Sequence, residues 1–403
     1  MLVATQVLGG TGLFTGFAVS ALLAQDLSGS TSLAGLPTAA AVSASALAAL
    51  PISRWMAHRG RRPGLAVGYG LAAFGAAVVV AAAALGSFLL MLAGMGLFGV
   101  GNTSNLLARF AAADLSEPAR RARAIATVLV ATTVGAVLGP NLVEPTERLV
   151  APLGFPPLTG PFALGVLAYA AGAVVVLALL RPDPLLTARA AAAEHAGTVA
   201  SPTPGSLRAA ARSLSAPRAR AGVCAMVVGN VAMIAIMTMT PVHLIEHGHS
   251  LRVVGVVISA HVAGMFLPSP VSGWLCDRVG RLPVLAAGGV TLMAAGVVAA
   301  TADPASGVAV GLALVLLGVG WNLGLVGGSA LLTDAVAAPE RPQAQGAADL
   351  LMGAAGAVAS LASGPALAVG GFLGLGLAGA ALAAVLLVVV ARARLAPPVP
   401  SRA

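Results

Sequence analysis

From Leu2 to Ala24 the chain carries no charged side chain, and apolar runs of similar length recur along it. Residues 63–86, 158–180, 221–242 and 371–390 are likewise free of charge. A helix needs roughly 20 such residues to cross a bilayer. Short stretches bearing Arg, Pro or Gly separate the runs. The pattern predicts twelve spanning helices, at 2–24, 31–53, 63–85, 87–109, 122–143, 158–181, 220–244, 251–275, 282–301, 305–330, 344–369 and 371–391. Only Gly370-Gly371 divides the last two. Between the sixth and seventh runs lies a stretch rich in Ala, Pro, Ser and Arg, too weakly apolar to span. It reads as a linker. A short surface helix is expected around 206–214, where Arg208 and Arg212 would face anionic lipid. The predicted organisation is a six-helix half at 1–181, a linker at 182–218 and a second six-helix half at 219–403.

Composition turns this pattern into a statement about solvent. The 403 residues are 58% hydrophobic and 9% charged, with a mean hydropathy of +0.96. Soluble domains carry about 25% charged residues. Such a chain cannot cover a water-exposed globule, so its solvent is lipid and the fold class is all-α membrane protein. The 50 glycines and abundant Ala let helix backbones approach closely where lipid surrounds them. A net charge of +9 would suit nucleic acid, but its distribution argues otherwise. All 22 basic residues are Arg. With the first residue in the cytoplasm, 20 fall on the cytoplasmic side; only Arg148 and Arg252 fall outside. That asymmetry is the positive-inside pattern of a cell-membrane protein with both termini cytoplasmic.

Other classes are poorly served. Cys224 and Cys276 suit neither a zinc site nor a disulfide framework and read as packing residues. His243, Glu246, His247 and His249 read as solvated loop polarity rather than a metal site. No phosphate-binding G-x-x-x-x-G-K-[ST] loop occurs, and no catalytic constellation can be placed at one depth. The chain therefore reads as neither an ATP-driven pump nor an enzyme, with no cofactor. No basic residue precedes the first run, which argues against a cleavable signal peptide of the usual kind, and the true start can lie upstream of Met1.

The halves repeat. Gly273-Trp274-Leu275-Cys276-Asp277-Arg278-Val279-Gly280-Arg281 is a charged, glycine-framed turn between the eighth and ninth runs. Ser53-Arg54-Trp55-Met56-Ala57-His58-Arg59-Gly60-Arg61 is its weaker copy, with Gly60 and Gly280 standing 220 residues apart. The same offset relates Gly35 to Gly255 and Asp114 to Asp334, while Gly139-Pro140 is echoed by Gly364-Pro365. An even number of helices per half makes the repeats parallel.

On these residues the chain resembles the major facilitator superfamily over essentially its whole length. That family's signature loop reads G-x-L-x-D-R-x-G-R, which residues 273–281 match at Gly273, Leu275, Asp277, Arg278, Gly280 and Arg281. The resemblance implies a secondary transporter working by alternating access. It also implies that Asp277 meets a helix N-terminus near Arg120–Arg123 and holds the cytoplasmic side closed. The first copy keeps Gly60 and Arg61 but has Ala57 in place of the acid, so the lock is expected to be one-sided. Gly135-Ala136-Val137-Leu138-Gly139-Pro140 resembles the G-x-x-x-G-P motif of drug:proton antiporters, although Val143 and Glu144 stand where the following glycines would be. This favours efflux. The resemblance places the first, fourth, seventh and tenth helices around the cavity. Gln6, Thr11, Thr15, Asn102, Asn105, Asn230, Trp321 and Asn322 then become candidate substrate contacts. Asp349 and His261 are candidates for proton coupling. Expected partners are a small, apolar or amphipathic compound, protons and the bilayer, with the protein a monomer. Nutrient import and a non-transporting scaffold or sensor are the alternatives.

Overall fold

Helices form along the apolar runs because a backbone in hydrocarbon must satisfy its own N–H and C=O groups. The computed structural model describes residues 1–30, 33, 35–195 and 214–395. In chain order its α-helices begin with α1 (Leu2–Ser28), α2 (Leu36–Arg59), α3 (Arg61–Ala84) and α4 (Phe88–Asp114). Next come α5 (Arg121–Asn141), α6 (Val143–Val150), α7 (Gly160–Leu179), α8 (Pro184–His195) and α9 (Pro217–Glu246). The last are α10 (Leu251–Phe266), α11 (Ser269–Val279), α12 (Arg281–Thr301), α13 (Gly307–Ala335) and α14 (Arg341–Leu395). Among the described residues, ten stretches are long and apolar enough to span by length and composition. α4, with Asn102, Thr103, Ser104 and Asn105 in succession, lies outside that set despite its 27 residues. α14 breaks at Gly371, where φ is 62°. Counting α4 and both parts of α14 restores the twelve spans.

Three local features depart from the sequence reading. The eighth span was expected to be continuous from 251 to 275; it divides into α10 and α11 at Leu267-Pro268. Pro268 and Pro270 have no N–H to continue the ladder. α6 was not expected. Its Glu147 carboxylate accepts from Leu158 N (3.0 Å) and Gly160 N (2.7 Å), holding the start of α7. α8 was not expected either, and residues 206–213 of the surface helix foreseen in the linker lie outside the described residues.

The chain divides into two units. The first comprises Met1–Leu115 with Ala131–Pro204, the second Ser116–Val130 with Gly205–Ala403. The opening turns of α5 thus group with the second unit and its remainder with the first. In the first unit α3 packs on α4 and α7, α2 on α4, and α1 on α7. In the second, α12 packs on α13 and α14, α10 on α13, and α9 on α13 and α14. The first unit gathers aromatic rings that are scarce in the rest of the chain. Phe98 meets Phe17, Phe162 and Tyr169 edge to face at 6.1, 5.8 and 5.5 Å, and Tyr69 stacks on Tyr169 at 6.1 Å.

Candidate functional site

Residues 273–279, expected as part of a turn, are instead the end of α11, and the chain turns only at Gly280; two glycines set this geometry. Gly280, at φ 102°, reverses the chain directly from α11 into α12, a conformation that costs glycine nothing. A Cβ on Gly273 would stand 2.7 Å from Ala126 Cβ and 2.8 Å from Ala122 O, so only glycine lets α11 approach α5 this closely. That approach delivers Asp277, whose side chain is 1% exposed. Its Oδ1 accepts from Ala122 N at 3.2 Å and its Oδ2 from Arg123 N at 3.0 Å. These N–H groups open α5 and have no partner within the helix, and the dipole there favours an anion. Arg281 links the rest. It lies 3.2 Å from Asp277 and 3.1 Å from Asp334, which Arg121 joins at 2.7 Å. Arg281 also donates to Cys276 O at 2.8 Å and to Pro118 O. Arg278 stands apart, its guanidinium 5.2 Å from the Trp274 ring centre.

The first copy is held differently. Gly60 turns at φ 94°, and Ala57 offers no carboxylate. Arg61 Nε pairs with Asp114 at 2.8 Å, with both side chains fully buried. Arg61–Asp114 and Arg281–Asp334 are the same pair in the two repeats, each separated by 53 residues. The shared offset of Asp114 and Asp334 was legible in the sequence, but their arginine partners were not drawn from it. A second acid was missed. Asp183 Oδ2 accepts from Arg62 N at 2.8 Å, and its Oδ1 from Leu185 N (3.0 Å) and Leu186 N (3.3 Å). One carboxylate therefore caps α3 and α8 together. Arg189 of α8 donates to Ala57 O at 2.6 Å. An Asp directly before a Pro that opens a helix is a capping signal that would have found it.

α5 meets α1 through the glycines of its G-x-x-x-G-P stretch. A Cβ on Gly135 would lie 2.5 Å from Gly10 C and Thr11 N; one on Gly139 would lie 2.7 Å from Phe14 Cβ and 2.8 Å from Thr15 N. Pro140, which completes the motif, sits one residue before the end of the helix.

The polar candidates fall into small groups. Gln6 donates to Asn105 O at 2.6 Å and accepts from Thr132 at 3.3 Å, pinning α1 to α4 and α5. Tyr69 OH donates to Asn105 Oδ1 at 3.0 Å, while Asn105 Nδ2 is buried without a partner among the described residues. Thr15 bonds back to Thr11 O (2.6 Å), and Asn102 donates to Ser45 (3.3 Å). Trp321 Nε1 donates to Asn230 Oδ1 at 3.3 Å, and Asn230 Nδ2 to Met352 O at 3.0 Å. Asn322 turns instead to α10 and α11, bonding Met265 O, Ser269 and Ser272 at 2.6–2.7 Å. Tyr69→Phe should remove the bond to Asn105 and lower stability by about 1 kcal/mol. Thermal unfolding of the purified protein checks this; an unchanged midpoint would mean that the hydroxyl is not holding Asn105.

His261 is fully buried, with Nδ1 2.7 Å from Leu314 O. Asp349, 4% exposed, lies on α14 one turn beyond Gln345. At the other end, His243 stacks on Phe372 at 4.1 Å, His247 Nδ1 meets His243 O at 2.7 Å, and His249 turns away to Pro304 O at 2.9 Å.

The family model described as Major Facilitator Superfamily matches residues 1–325 and 243–403. The chain belongs to the Major Facilitator Superfamily. It is a multi-pass membrane transporter of small molecules with the superfamily's twelve-helix, two-repeat fold, and not an enzyme. It is 42% identical over 390 residues to an uncharacterised MFS-type transporter, YddS, of Bacillus subtilis (strain 168), covering 97% of this chain and 89% of that one. It is 32% identical over 373 residues to the riboflavin transporter RfnT of Brucella anthropi, covering 90% and 87%. In structure it is similar to the human organic anion transporter MFSD10, with a TM-score of 0.78 at 15% identity and coverage of 96% and 97%. At that identity the likeness concerns the fold of this MFS transporter alone.

Proposed function

We propose that this MFS transporter exports a small, uncharged or weakly charged amphipathic compound in exchange for protons. The observation that carries direction is the contact of Gly135 and Gly139 with the α1 backbone. It is the close crossing that the antiporter-like motif would serve. The candidate contacts Gln6, Thr11, Thr15, Asn102, Asn105, Asn230, Trp321 and Asn322 are amides, hydroxyls and one indole. They suit a neutral ligand better than a polyanion, because a charge carried into the membrane needs a partner. The similarity to RfnT supports a substrate of riboflavin's kind, a planar heterocycle with a polar tail. Asp349 and His261 are the proposed proton carriers. The Arg asymmetry and the bacterial relatives support placement in the cell membrane with both termini cytoplasmic, and a monomer suffices for the mechanism. The turn at 273–281, with Asp277 on α5, is the proposed cytoplasmic lock.

Uptake is the second reading, favoured by Val143 and Glu144 standing where the antiporter motif would continue. Vesicles separate the two. Riboflavin and a panel of amphipathic dyes would be followed in everted and right-side-out membranes, with and without a protonophore. Export predicts protonophore-sensitive accumulation in everted vesicles. Accumulation confined to right-side-out vesicles would establish uptake instead, and insensitivity to the protonophore would remove the coupling.

A further inference from the structure

The two signature turns end in the same way and are completed differently. After Gly60 and after Gly280 a long helix starts at once, and its first N–H groups need acceptors from outside the helix. At α3 the acceptor is Asp183, bonded to Arg62 N at 2.8 Å. A Cβ on Gly60 would collide with that carboxylate, 2.6 Å from its carbon. Leu282 stands 220 residues after Arg62, in the matching place on α12. Among the described residues no carboxylate side chain caps α12 there. A Cβ on Gly280 would meet only Pro283 Cδ, at 3.7 Å. The stretch 391–403, which follows the last span as Asp183 follows the sixth, holds no Asp or Glu.

The second turn opens instead on a cavity of about 350 Å³ lined by Arg218, Gly280, Arg281, Leu282, Pro283 and Asp334, among others. Its charges do not balance. Arg281 and Asp334 are paired at 3.1 Å. Arg218 is not: its Nε is buried and has no hydrogen-bond partner among the described residues. One guanidinium and the positive end of a 21-residue helix therefore face the same space. At the first turn the protein fills the corresponding place with its own anion.

We propose that this cavity binds a phosphate group, with Arg218 as the counter-charge and the α12 N-terminus as donor. A guanidinium and open helical N–H groups form the recurring recognition pair for phosphate oxygens. The phosphate can belong to a phospholipid headgroup on the Arg-rich face or to a free anion, and the two are separable.

The test uses the purified full-length chain and two readouts. Native mass spectrometry would count phosphatidylglycerol retained against phosphatidylcholine, and thermal unfolding would be followed with and without inorganic phosphate. Arg218→Ala is compared with Arg220→Ala, an exposed neighbour that does not line the cavity. Arg218→Lys keeps the charge and controls for folding. A lipid source predicts about tenfold weaker phosphatidylglycerol retention in Arg218→Ala, near-normal retention in Arg218→Lys and no change in Arg220→Ala. A free anion predicts that phosphate raises the wild-type unfolding temperature but not that of Arg218→Ala, with lipid retention equal. Equal behaviour of Arg218→Ala and Arg220→Ala in both readouts would overturn the proposal.

Discussion

Gly135→Leu should leave little folded transporter. The Gly135 Cα already lies against the α1 backbone, and an added Cβ would stand 2.5 Å from Gly10 C and Thr11 N. Backbone cannot rotate away as a side chain can, so relief requires α1 and α5 to separate. Separation would stretch the Gln6–Thr132 bond and withdraw Gln6 from Asn105 O. Overpacking a tight core costs about 1–3 kcal/mol even where side chains can move, and here they cannot. Gly135→Ala should already lower the unfolding temperature, Gly139→Ala somewhat less, and Gly364→Ala, whose added Cβ meets nothing within 4 Å, not at all. Fluorescence-detected gel filtration after heating would rank the four. Equal stability of the Gly135 and Gly364 variants would show that the α1–α5 crossing is not the constraint described.

Asp277→Asn should act on conformation more than on folding. The carboxylate receives two backbone N–H groups and lies 3.2 Å from Arg281. Bonds to a charged acceptor contribute about 1.5–3 kcal/mol each. Asn keeps one acceptor oxygen but turns an NH₂ toward donors. A net loss of about 2 kcal/mol would move a two-state equilibrium roughly thirtyfold. If the turn is the cytoplasmic lock, the gain goes to the inward-open form. A single cysteine at position 102, with Cys224 and Cys276 replaced by Ser, should then be alkylated several-fold faster from the cytoplasmic side. Transport should fall by an order of magnitude or more. Unchanged alkylation alongside lost transport would assign Asp277 a structural role and end the lock reading. Alanine at the equivalent first-half position is native, so no matching acid is available there to compensate.

What could be read from sequence divides along physical lines. Spans were legible because hydrocarbon imposes one rule on every crossing segment. The 220-residue offset exposed the repeat because Gly60 and Gly280 must both take a backbone turn that other residues resist. Side-chain partnerships were harder. Asp277 could be aimed at α5 only through the family resemblance, because its neighbours in sequence do not name a partner 155 residues away. Arg61 and Asp114 could not be joined by the same logic, since residues 53 apart meet only once α3 and α4 are packed. The polar candidates were chosen for being rare in lipid, and rarity does not separate a ligand contact from an interhelical bond. Asn322, with both ends of its amide bonded to α10 and α11, is one whose rarity alone does not assign it to either. The break in the eighth span is masked in sequence by an apolar run that continues through Pro268 and Pro270.

The double cap made by Asp183 bears on how the molecule can be taken apart. Cutting at Arg181, where the apolar run stops, would strip α3 of the carboxylate at its first turn and leave the Ala57 carbonyl without Arg189. An isolated amino-terminal fragment should therefore be expressed through at least His195. Co-expressed fragments severed beyond that point should reassemble, whereas those severed ahead of Asp183 should not.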